Sequence, residues 1–347
     1  MFYRGTVFGM GFLFLHLQGA SALEYGVGQQ DFEIQDSARS RTIPAHLWYP
    51  IEAGMKLASQ AKKPGPFLPV IAALGAPAAA APPKFPVVLL SHGSGGLAEK
   101  LFWLTDVLVR DGIAVVAVDH PGNRTGDNSG LGLLRVWDRP RDLTLALDKA
   151  LELPVLGARL DVTRAGAVGH SAGGTTALLL AGGRLVAERA SNPIPNCTGT
   201  KDPYYAILCG QLKAIDLKSL KKSEIEADYK DARVGAVVAL DPGFAQWFEA
   251  DSLKAMPHAR IFLAEKLAHP QDEIHAPDFL KSLPAPRTEV VPGTVHFTFL
   301  QACKPGFPAD DPELGELCFE NERKLRIQKT VAEEIRRHFR NAWSGKK

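Results

Sequence analysis

The chain has 347 residues, 46% of them hydrophobic, which suits one large globular domain or two small ones. Its 40 lysines and arginines nearly balance its 38 aspartates and glutamates, so the formal net charge is +2. This balance argues against nucleic acid or an anionic membrane surface as a partner.

The N-terminus has the pattern of a secretory signal peptide. Arg4 supplies a positive charge, an apolar run follows from Val7 to Leu17, and an Ala-Ser-Ala cleavage pattern ends at Ala22. The run is too short to cross a bilayer comfortably, although an uncleaved anchor is the alternative. We expect residues 1–22 to be removed and the protein to be periplasmic or secreted. We expect no transmembrane segment in the rest of the chain, because no later apolar stretch is long enough.

Strands and helices are predicted to alternate along the mature chain. An early strand is expected from Arg41 to Tyr49, followed by a Pro- and Ala-rich loop or irregular insertion over residues 63–83. Further strands are predicted at 86–90, 113–118, 165–168, 234–240, 260–264 and 288–291, and helices at 99–111, from Pro140 onward, at 175–181 and at 322–343. This alternation is typical of an α/β fold with a mainly parallel central sheet and helices on both faces.

Residues 183–233 interrupt the alternation. They follow the helix predicted at 175–181 and include a lysine-rich helical pattern from Leu217 to Tyr229. We interpret them as an insertion within a single domain that spans residues 23–347. The insertion is either a cap over the site or a solvated excursion, and the pattern does not distinguish the two.

The most specific motif is Gly169-His-Ser-Ala-Gly173, which has the form G-x-S-x-G. It lies between a predicted strand and a predicted helix, the setting of a nucleophile elbow, in which a strained turn exposes the serine hydroxyl at the end of a sheet. The motif therefore predicts that Ser171 is a nucleophile. An ordinary tight turn is the alternative.

A serine nucleophile needs a base and an acid, and in this fold they follow it in the order acid, then histidine. His296 directly follows the strand at 288–291 and is the preferred base. Asp241 directly follows the strand at 234–240 and is the preferred acid, with Asp272 as the competitor. The other downstream histidines are less suitably placed: they are His258, His269, His275 and His338.

The intermediate of acyl transfer also needs backbone N–H donors for its oxyanion. One donor is expected at Ala172, the residue after the nucleophile, and the other at Ser94, in a Gly-rich loop that follows the strand at 86–90. A phosphate-binding loop is the alternative, but neither G-x-G-x-x-G nor a Walker pattern is present.

Four cysteines lie in the predicted mature chain, and an even number in an exported protein predicts disulfides. Of the three possible connectivities, local pairing of Cys197 with Cys209 and of Cys303 with Cys318 is the simplest. A zinc site is the alternative, but the sequence has no C-x-x-C pair and no nearby histidine pair at ligand spacing. No metal or organic cofactor is expected.

Together these motifs resemble the plasma-type platelet-activating-factor acetylhydrolases and the bacterial predicted dienelactone hydrolases, both of the α/β-hydrolase superfamily. The likeness extends from about Arg41 to the C-terminus. It rests on Leu47-Trp-Tyr-Pro50, Leu90-Ser-His-Gly-Ser94, Val116-Ala-Val-Asp-His120, Arg139-Pro-Arg-Asp142, Gly169-His-Ser-Ala-Gly-Gly174, Ala239-Leu-Asp241 and Gly293-Thr-Val-His296. The resemblance implies a triad of Ser171, Asp241 and His296, with oxyanion donors at Ser94 and Ala172.

Two departures limit what the resemblance implies. The stretch between Ser171 and Asp241 is longer than expected for the acetylhydrolases, so the size of the substrate stays open. True dienelactone hydrolases use a cysteine nucleophile, and this chain has a serine there. We therefore expect an exported serine hydrolase that cleaves a small-molecule or lipid carboxylic ester. The alternatives are a peptidase or amidase with the same triad, and a non-catalytic binding protein of the same fold.

Overall fold

The computed structural model describes residues 25–60, 65–190, 210, 215–256, 258–266, 277–282, 287–306, 315–318 and 321–345. The predicted signal peptide over residues 1–22 and the predicted pair of Cys197 and Cys209 lie outside the described residues. Within the described part of the chain, no helix is both long and apolar enough to cross a membrane.

A ten-stranded sheet runs through the protein in the order β12-β11-β10-β9-β5-β6-β2-β1-β4-β3. Its strands, with the small hairpin β7–β8, are β1 (Gly26–Asp36), β2 (Arg41–Ile51), β3 (Ala58–Ser59), β4 (Ile71–Leu74), β5 (Phe85–Ser91), β6 (Ala114–Val118), β7 (Asn123–Arg124), β8 (Asp127–Asn128), β9 (Leu160–His170), β10 (Val234–Leu240), β11 (Ala259–Ala264) and β12 (Arg287–Val291). In spatial order, the neighbouring strands β12, β11, β10, β9, β5 and β6 pair in parallel. Strands β1 and β2 form an antiparallel hairpin.

Helices cover both faces of the sheet. They are α1 (Phe102–Arg110), α2 (Gly130–Leu134), α3 (Asp138–Leu151), α4 (Ala172–Leu180), α5 (Ala187–Ala190), α6 (Lys222–Ile225), α7 (Ala250–Lys254), α8 (Pro277–Ser282), α9 (Gly315–Cys318) and α10 (Asn321–Trp343). Alternate residues of a strand face opposite sides, so Val87 and Leu89 pack with α3 and α4 while Val88 and Leu90 pack with α1 and α10. This arrangement confirms the predicted fold class.

The structure differs from the sequence prediction mainly near the N-terminus. Strand β1 was not predicted, and the region interpreted as a loop over residues 63–83 contains the short strand β4, which pairs with β1. Polar residues hide the strand pattern of β1. Gln29 is buried, but its side-chain oxygen accepts a hydrogen bond from the Trp48 indole N–H at 3.1 Å, so the polar group is satisfied inside the sheet.

The described residues of the insertion pack against the domain. Arg184 pairs with Asp228 at 2.8 Å, and the Thr144 hydroxyl of α3 donates to Asp231 at 3.2 Å. Leu185 forms an isolated β-bridge with Phe248. The contacts with Thr144 and Phe248 tie the two ends of the insertion to the rest of the domain, and the Arg184–Asp228 pair links these ends to each other. The role of the insertion as a cap stays a prediction.

The predicted disulfide between Cys303 and Cys318 is present, with the two Cα atoms 5.4 Å apart. It links the segment after β12 to α9, just before α10. Asn321, the first residue of α10, also brackets Cys303: its side-chain oxygen accepts from the Cys303 N–H at 2.9 Å, and its side-chain amide donates to the Cys303 carbonyl at 2.6 Å. The disulfide therefore belongs to a segment that hydrogen bonds with the Asn321 side chain also hold in place.

An imidazole joins the hairpin to the parallel sheet. His46 of β2 contacts Asp31 of β1 at 2.8 Å through Nδ1 and Asp119, after β6, at 3.4 Å through Nε2. Burial alone would lower the pKa of His46, but the hydrogen bonds and charges of the two carboxylates outweigh it and raise the pKa to about 9. The Trp48 ring stacks on the imidazole at 5.2 Å, and the Ala98 N–H donates to Asp119 at 2.8 Å.

This cation should make stability depend on pH. Because the folded-state pKa of His46 is raised from 6.5 to about 9, its contribution is complete below pH 6.5 and is lost as the pH rises through 9. We expect His46→Gln to lower the free energy of unfolding by about 3 kcal/mol more at pH 6 than above pH 9. Chemical denaturation of both proteins at the two pH values measures this difference.

His338→Gln is the control. Burial lowers the pKa of His338, so its contribution is lost as the pH falls, and the pH trend of its variant should have the opposite sign. If the gap between the wild type and His46→Gln were constant from pH 6 to above pH 9, the charged state assigned to His46 would be wrong.

Candidate active site

The three predicted site residues follow three strands of the same parallel sheet. Ser171 follows β9, Asp241 follows its neighbour β10, and His296 lies five residues after Val291, where β12 ends. The carboxyl ends of parallel strands meet at one edge of a sheet, where open α/β folds place their ligands. The sheet thus brings the three predicted residues to one edge of the molecule.

Ser171 occupies a sharp turn between β9 and α4. Its φ of 56° and ψ of −125° fall in a region that residues with a side chain rarely adopt. The turn is held by hydrogen bonds: the Ser171 N–H donates to the Leu240 carbonyl at 2.9 Å, and its own carbonyl accepts from the Gly174 N–H at 2.8 Å. This is the backbone expected of a nucleophile elbow.

Glycines at both ends of the motif allow this turn. A Cβ at Gly169 would lie 2.1 Å from the Gly173 carbonyl oxygen, and a Cβ at Gly173 would lie 2.0 Å from the Ser91 carbonyl oxygen. Both distances are impossible for real atoms, and the obstacles are backbone atoms that cannot move aside. The G-x-S-x-G pattern is therefore a packing requirement in this chain.

Asp241 and His296 are in hydrogen-bond contact. The His296 Nδ1 lies 2.6 Å from Asp241 Oδ2, and both residues are buried. The other carboxylate oxygen, Oδ1, accepts from the Ala264 N–H at 3.0 Å, which anchors the acid to the end of β11. A carboxylate can only accept, so the imidazole proton lies on Nδ1 and Nε2 is the basic nitrogen.

The predicted oxyanion donors border the same turn. Ala172 is the first residue of α4, where backbone N–H groups have no partner within the helix. Ser94 follows Gly93, and a Cβ on Gly93 would lie 3.2 Å from the Ser171 Cβ, so this loop touches the turn at Ser171. No other described residue accepts a hydrogen bond from the Ser94 N–H.

The competing acid and two of the competing histidines lie outside the described residues: Asp272, His269 and His275. His338 is in α10, and its Nε2 hydrogen-bonds to the His258 carbonyl at 2.8 Å, so these two histidines contact each other. Among the described residues, no group of three or more His, Cys, Asp or Glu side chains is arranged to hold a metal ion.

A sequence profile of the alpha/beta hydrolase family matches residues 87–339, well over half of the chain. The chain belongs to the alpha/beta hydrolase family. No curated protein sequence matches it significantly.

Solved structures with a similar fold include a ferulic acid esterase from Streptomyces cinnamoneus, which is 21% identical with a TM-score of 0.57, and the match covers 92% of this chain and 90% of that one. Carboxyl esterase 2 from the mycorrhizal fungus Tuber melanosporum is 17% identical with a TM-score of 0.48, and the match covers 92% of this chain and 88% of that one. At 21% identity, the likeness to the ferulic acid esterase shows a shared fold and does not indicate the substrate of this chain.

Two further residues at the site of this alpha/beta hydrolase were not predicted. The His170 Nε2–H donates to the carbonyl of His296 at 3.0 Å, and the two rings lie 4.4 Å apart, so the residue before the serine supports the loop of the histidine. A Cβ at Gly243 would lie 3.5 Å from the Ser171 Oγ, in ordinary van der Waals contact, so Gly243 lies directly beside the hydroxyl. In the sequence, His170 and Gly243 were marked only by their positions, directly before Ser171 and two residues after Asp241.

The strained turn predicts a stability difference between two variants of Ser171. Neither Ser171→Ala nor Ser171→Gly keeps the hydroxyl, but only glycine adopts a φ of 56° with this ψ without strain. We expect the glycine variant to be more stable than the alanine variant by about 1 kcal/mol, because the relieved strain exceeds the entropy that glycine adds to the unfolded chain. Thermal or chemical denaturation of the two variants measures the difference. An alanine variant more stable than the glycine variant would contradict the strain assigned to this turn.

Proposed function

We propose that this alpha/beta hydrolase is a serine esterase that cleaves carboxylic esters through an acyl-enzyme intermediate. The observation that carries the proposal is the pairing of His296 with Asp241 at 2.6 Å, at the sheet edge where the strained turn presents Ser171. These are the parts that activate a serine hydroxyl: a strained turn, a base with a defined tautomer and a buried acid.

In the proposed mechanism Ser171 Oγ attacks the ester carbonyl carbon while His296 Nε2 takes its proton. Asp241 holds the imidazole in the required tautomer and stabilises the imidazolium that forms. The carbonyl oxygen gains negative charge and is bound by the N–H groups of Ser94 and Ala172. The C–O bond to the alcohol then breaks, and His296 protonates the leaving alkoxide. Water then attacks the acyl-enzyme while His296 takes its proton, and the carboxylic acid is released when His296 returns a proton to Ser171 Oγ.

We further propose that the protein is exported. The support is the signal-peptide pattern of residues 1–22 and the disulfide between Cys303 and Cys318, a bond typical of oxidising compartments. The resemblance to acetylhydrolases suggests a small-molecule or lipid ester as the substrate.

The direct test measures turnover of p-nitrophenyl esters with acyl chains of graded length, together with the matching anilides. We expect ester turnover by the wild type, labelling of Ser171 by a fluorophosphonate, and loss of several powers of ten in kcat for Ser171→Ala. Faster turnover of anilides than of esters would replace the esterase by an amidase. Absence of both turnover and labelling would indicate a non-catalytic protein of this fold.

A second variant tests the acid. In Asp241→Asn the side-chain oxygen is required by the Ala264 N–H, so the amide nitrogen must face His296 Nδ1. An N–H in that position forces the imidazole proton onto Nε2, which can then no longer accept the serine proton. We expect kcat to fall about 10⁴-fold with little change in the melting temperature.

Asp251→Asn is the matched control, because Asp251 is exposed and, among the described residues, its carboxylate forms an ion pair only with Lys254, at 2.9 Å. It makes the same chemical change on the surface and should leave kcat unchanged. Wild-type activity in Asp241→Asn would remove Asp241 from the mechanism. A loss in Asp251→Asn as large as the loss in Asp241→Asn would show that the effect is not specific to Asp241.

A further inference from the structure

A buried polar cluster lies behind the loop that carries Ser94. Its central residue is Arg139 of α3, which is only 2% exposed. The guanidinium donates through Nη1 to the His92 carbonyl at 2.6 Å and through Nη2 to the Asn123 side-chain oxygen at 3.1 Å and the Gly93 carbonyl at 3.4 Å. A buried charge is costly, and this one is used mainly to hold two successive carbonyl groups of one loop.

His92 holds the Gly93 carbonyl from a second direction. Its Nε2 lies 3.0 Å from the backbone nitrogen of His120, which can only donate, so Nε2 is the acceptor and the proton lies on Nδ1. The Nδ1–H therefore donates to the Gly93 carbonyl, at 2.6 Å. Burial and the nearby Arg139 charge lower the pKa of His92 to about 3, so the ring stays neutral and keeps this tautomer.

A third donor completes the set. The Gly96 N–H lies 3.1 Å from the same Gly93 oxygen, which thus accepts from His92, Gly96 and Arg139 together. The Gly93 C=O and the Ser94 N–H belong to one peptide unit, and in a trans peptide they point in opposite directions. Three donors that hold the oxygen on the cluster side therefore turn the Ser94 N–H away from the cluster.

Further residues support the cluster from inside the fold. Asp142 accepts from the His120 Nδ1–H at 2.8 Å, and the His120 Nε2 then accepts from the Ser91 hydroxyl at 2.9 Å. Asp142 also pairs with Arg39, at 2.8 Å, and with Arg41. These contacts fix His120, whose backbone N–H sets the tautomer of His92.

We infer that Arg139 and His92 are positioning residues that aim and polarise the Gly93–Ser94 peptide as an oxyanion donor. This inference rests on the proposed esterase function. Hydrogen bonds accepted by a peptide carbonyl strengthen the donor at the other end of the same peptide, so the cluster increases the strength of the Ser94 N–H as well as its alignment. Neither side chain touches the substrate; both act through one peptide unit.

The test compares two substrates: the p-nitrophenyl ester that the wild type cleaves best, and its thiono analogue, in which sulfur replaces the carbonyl oxygen. Sulfur is larger and a weaker acceptor, so the thiono reaction gains less from backbone N–H donors. Arg139→Lys keeps the charge but lacks the planar fork that reaches several acceptors at once. A misplacement of the donor by about 1 Å costs on the order of 10²-fold in rate.

We therefore expect Arg139→Lys to lower kcat for the oxygen ester about 10²-fold with little change in KM, and the preference for the oxygen ester to fall with it. His92→Gln is the second variant, for use if the first does not fold. The amide oxygen of the glutamine can accept from the His120 N–H, but the imidazole Nδ1–H that donates to the Gly93 carbonyl is lost. It should reduce the same preference.

Arg135→Lys is the matched control. Arg135 and Arg139 line one cavity. Arg135, however, pairs with Asp138 and Glu224, each at 2.8 Å, and makes no hydrogen bond to the described loop that carries Ser94. It should retain the wild-type preference for the oxygen ester, as should Asp241→Asn, in which the chemistry is damaged but the donor is intact.

The outcomes separate the two proposals. Equal losses on both esters in Arg139→Lys and His92→Gln would make the cluster merely structural, and unchanged rates would remove its role altogether; either result overturns the inference while the esterase function stands. A wild type that cleaves no ester and does not react with a fluorophosphonate would instead refute the function on which the inference rests.

Discussion

Direct backbone contact between the turn at Ser171 and the end of β5 determines where the rest of the candidate site lies. A Cβ at Gly173 would sit 2.0 Å from the Ser91 carbonyl oxygen, so no side chain fits between the two segments. The sheet register produces this contact, because Ser91 pairs with Gly169 and His170 pairs with Leu240. Ser171, the loop after β5 and Asp241 after β10 are therefore neighbours because three parallel strands end together.

The parts of this arrangement that could be predicted from sequence are those with local signals. Short apolar strands buried on both faces are recognisable from composition, and β10 begins and ends at the predicted residues. The elbow motif is also local, because its glycines avoid clashes within a few residues. Asp241 and His296 could be singled out by a topological rule, a position in the loop that follows a strand, together with the order of the residues along the chain.

The parts that could not be predicted depend on partners far away in the sequence. Arg139 lies 47 residues from His92, and nothing in its helix indicates that its guanidinium is buried against a loop. His170 looked like a variable position of the motif, yet it contacts the loop of a residue 126 positions later. Strand β1 was hidden because its polar residues find partners on β2, which periodicity in one segment cannot reveal.

Besides the proposed triad, the protein contains a buried Ser–His–Asp series, and comparing this series with the proposed triad shows what the residue types alone do not determine. Ser91 donates to His120 at 2.9 Å and His120 contacts Asp142 at 2.8 Å, which is the hydrogen-bond order of a catalytic triad. Ser91, however, lies within a strand and is completely buried, so no substrate carbonyl can approach its hydroxyl.

Ser171 differs from Ser91 in its backbone. Its φ is positive, and the glycines on both sides of the motif remove obstacles to this turn. Strain of this kind costs on the order of 1–3 kcal/mol and persists only where the surrounding packing enforces it. In the proposed mechanism the buried series of Ser91, His120 and Asp142 holds the loop that binds the oxyanion, whereas the strained Ser171 attacks the substrate. The same side-chain types therefore serve two roles, and the backbone geometry at each serine determines which role it has.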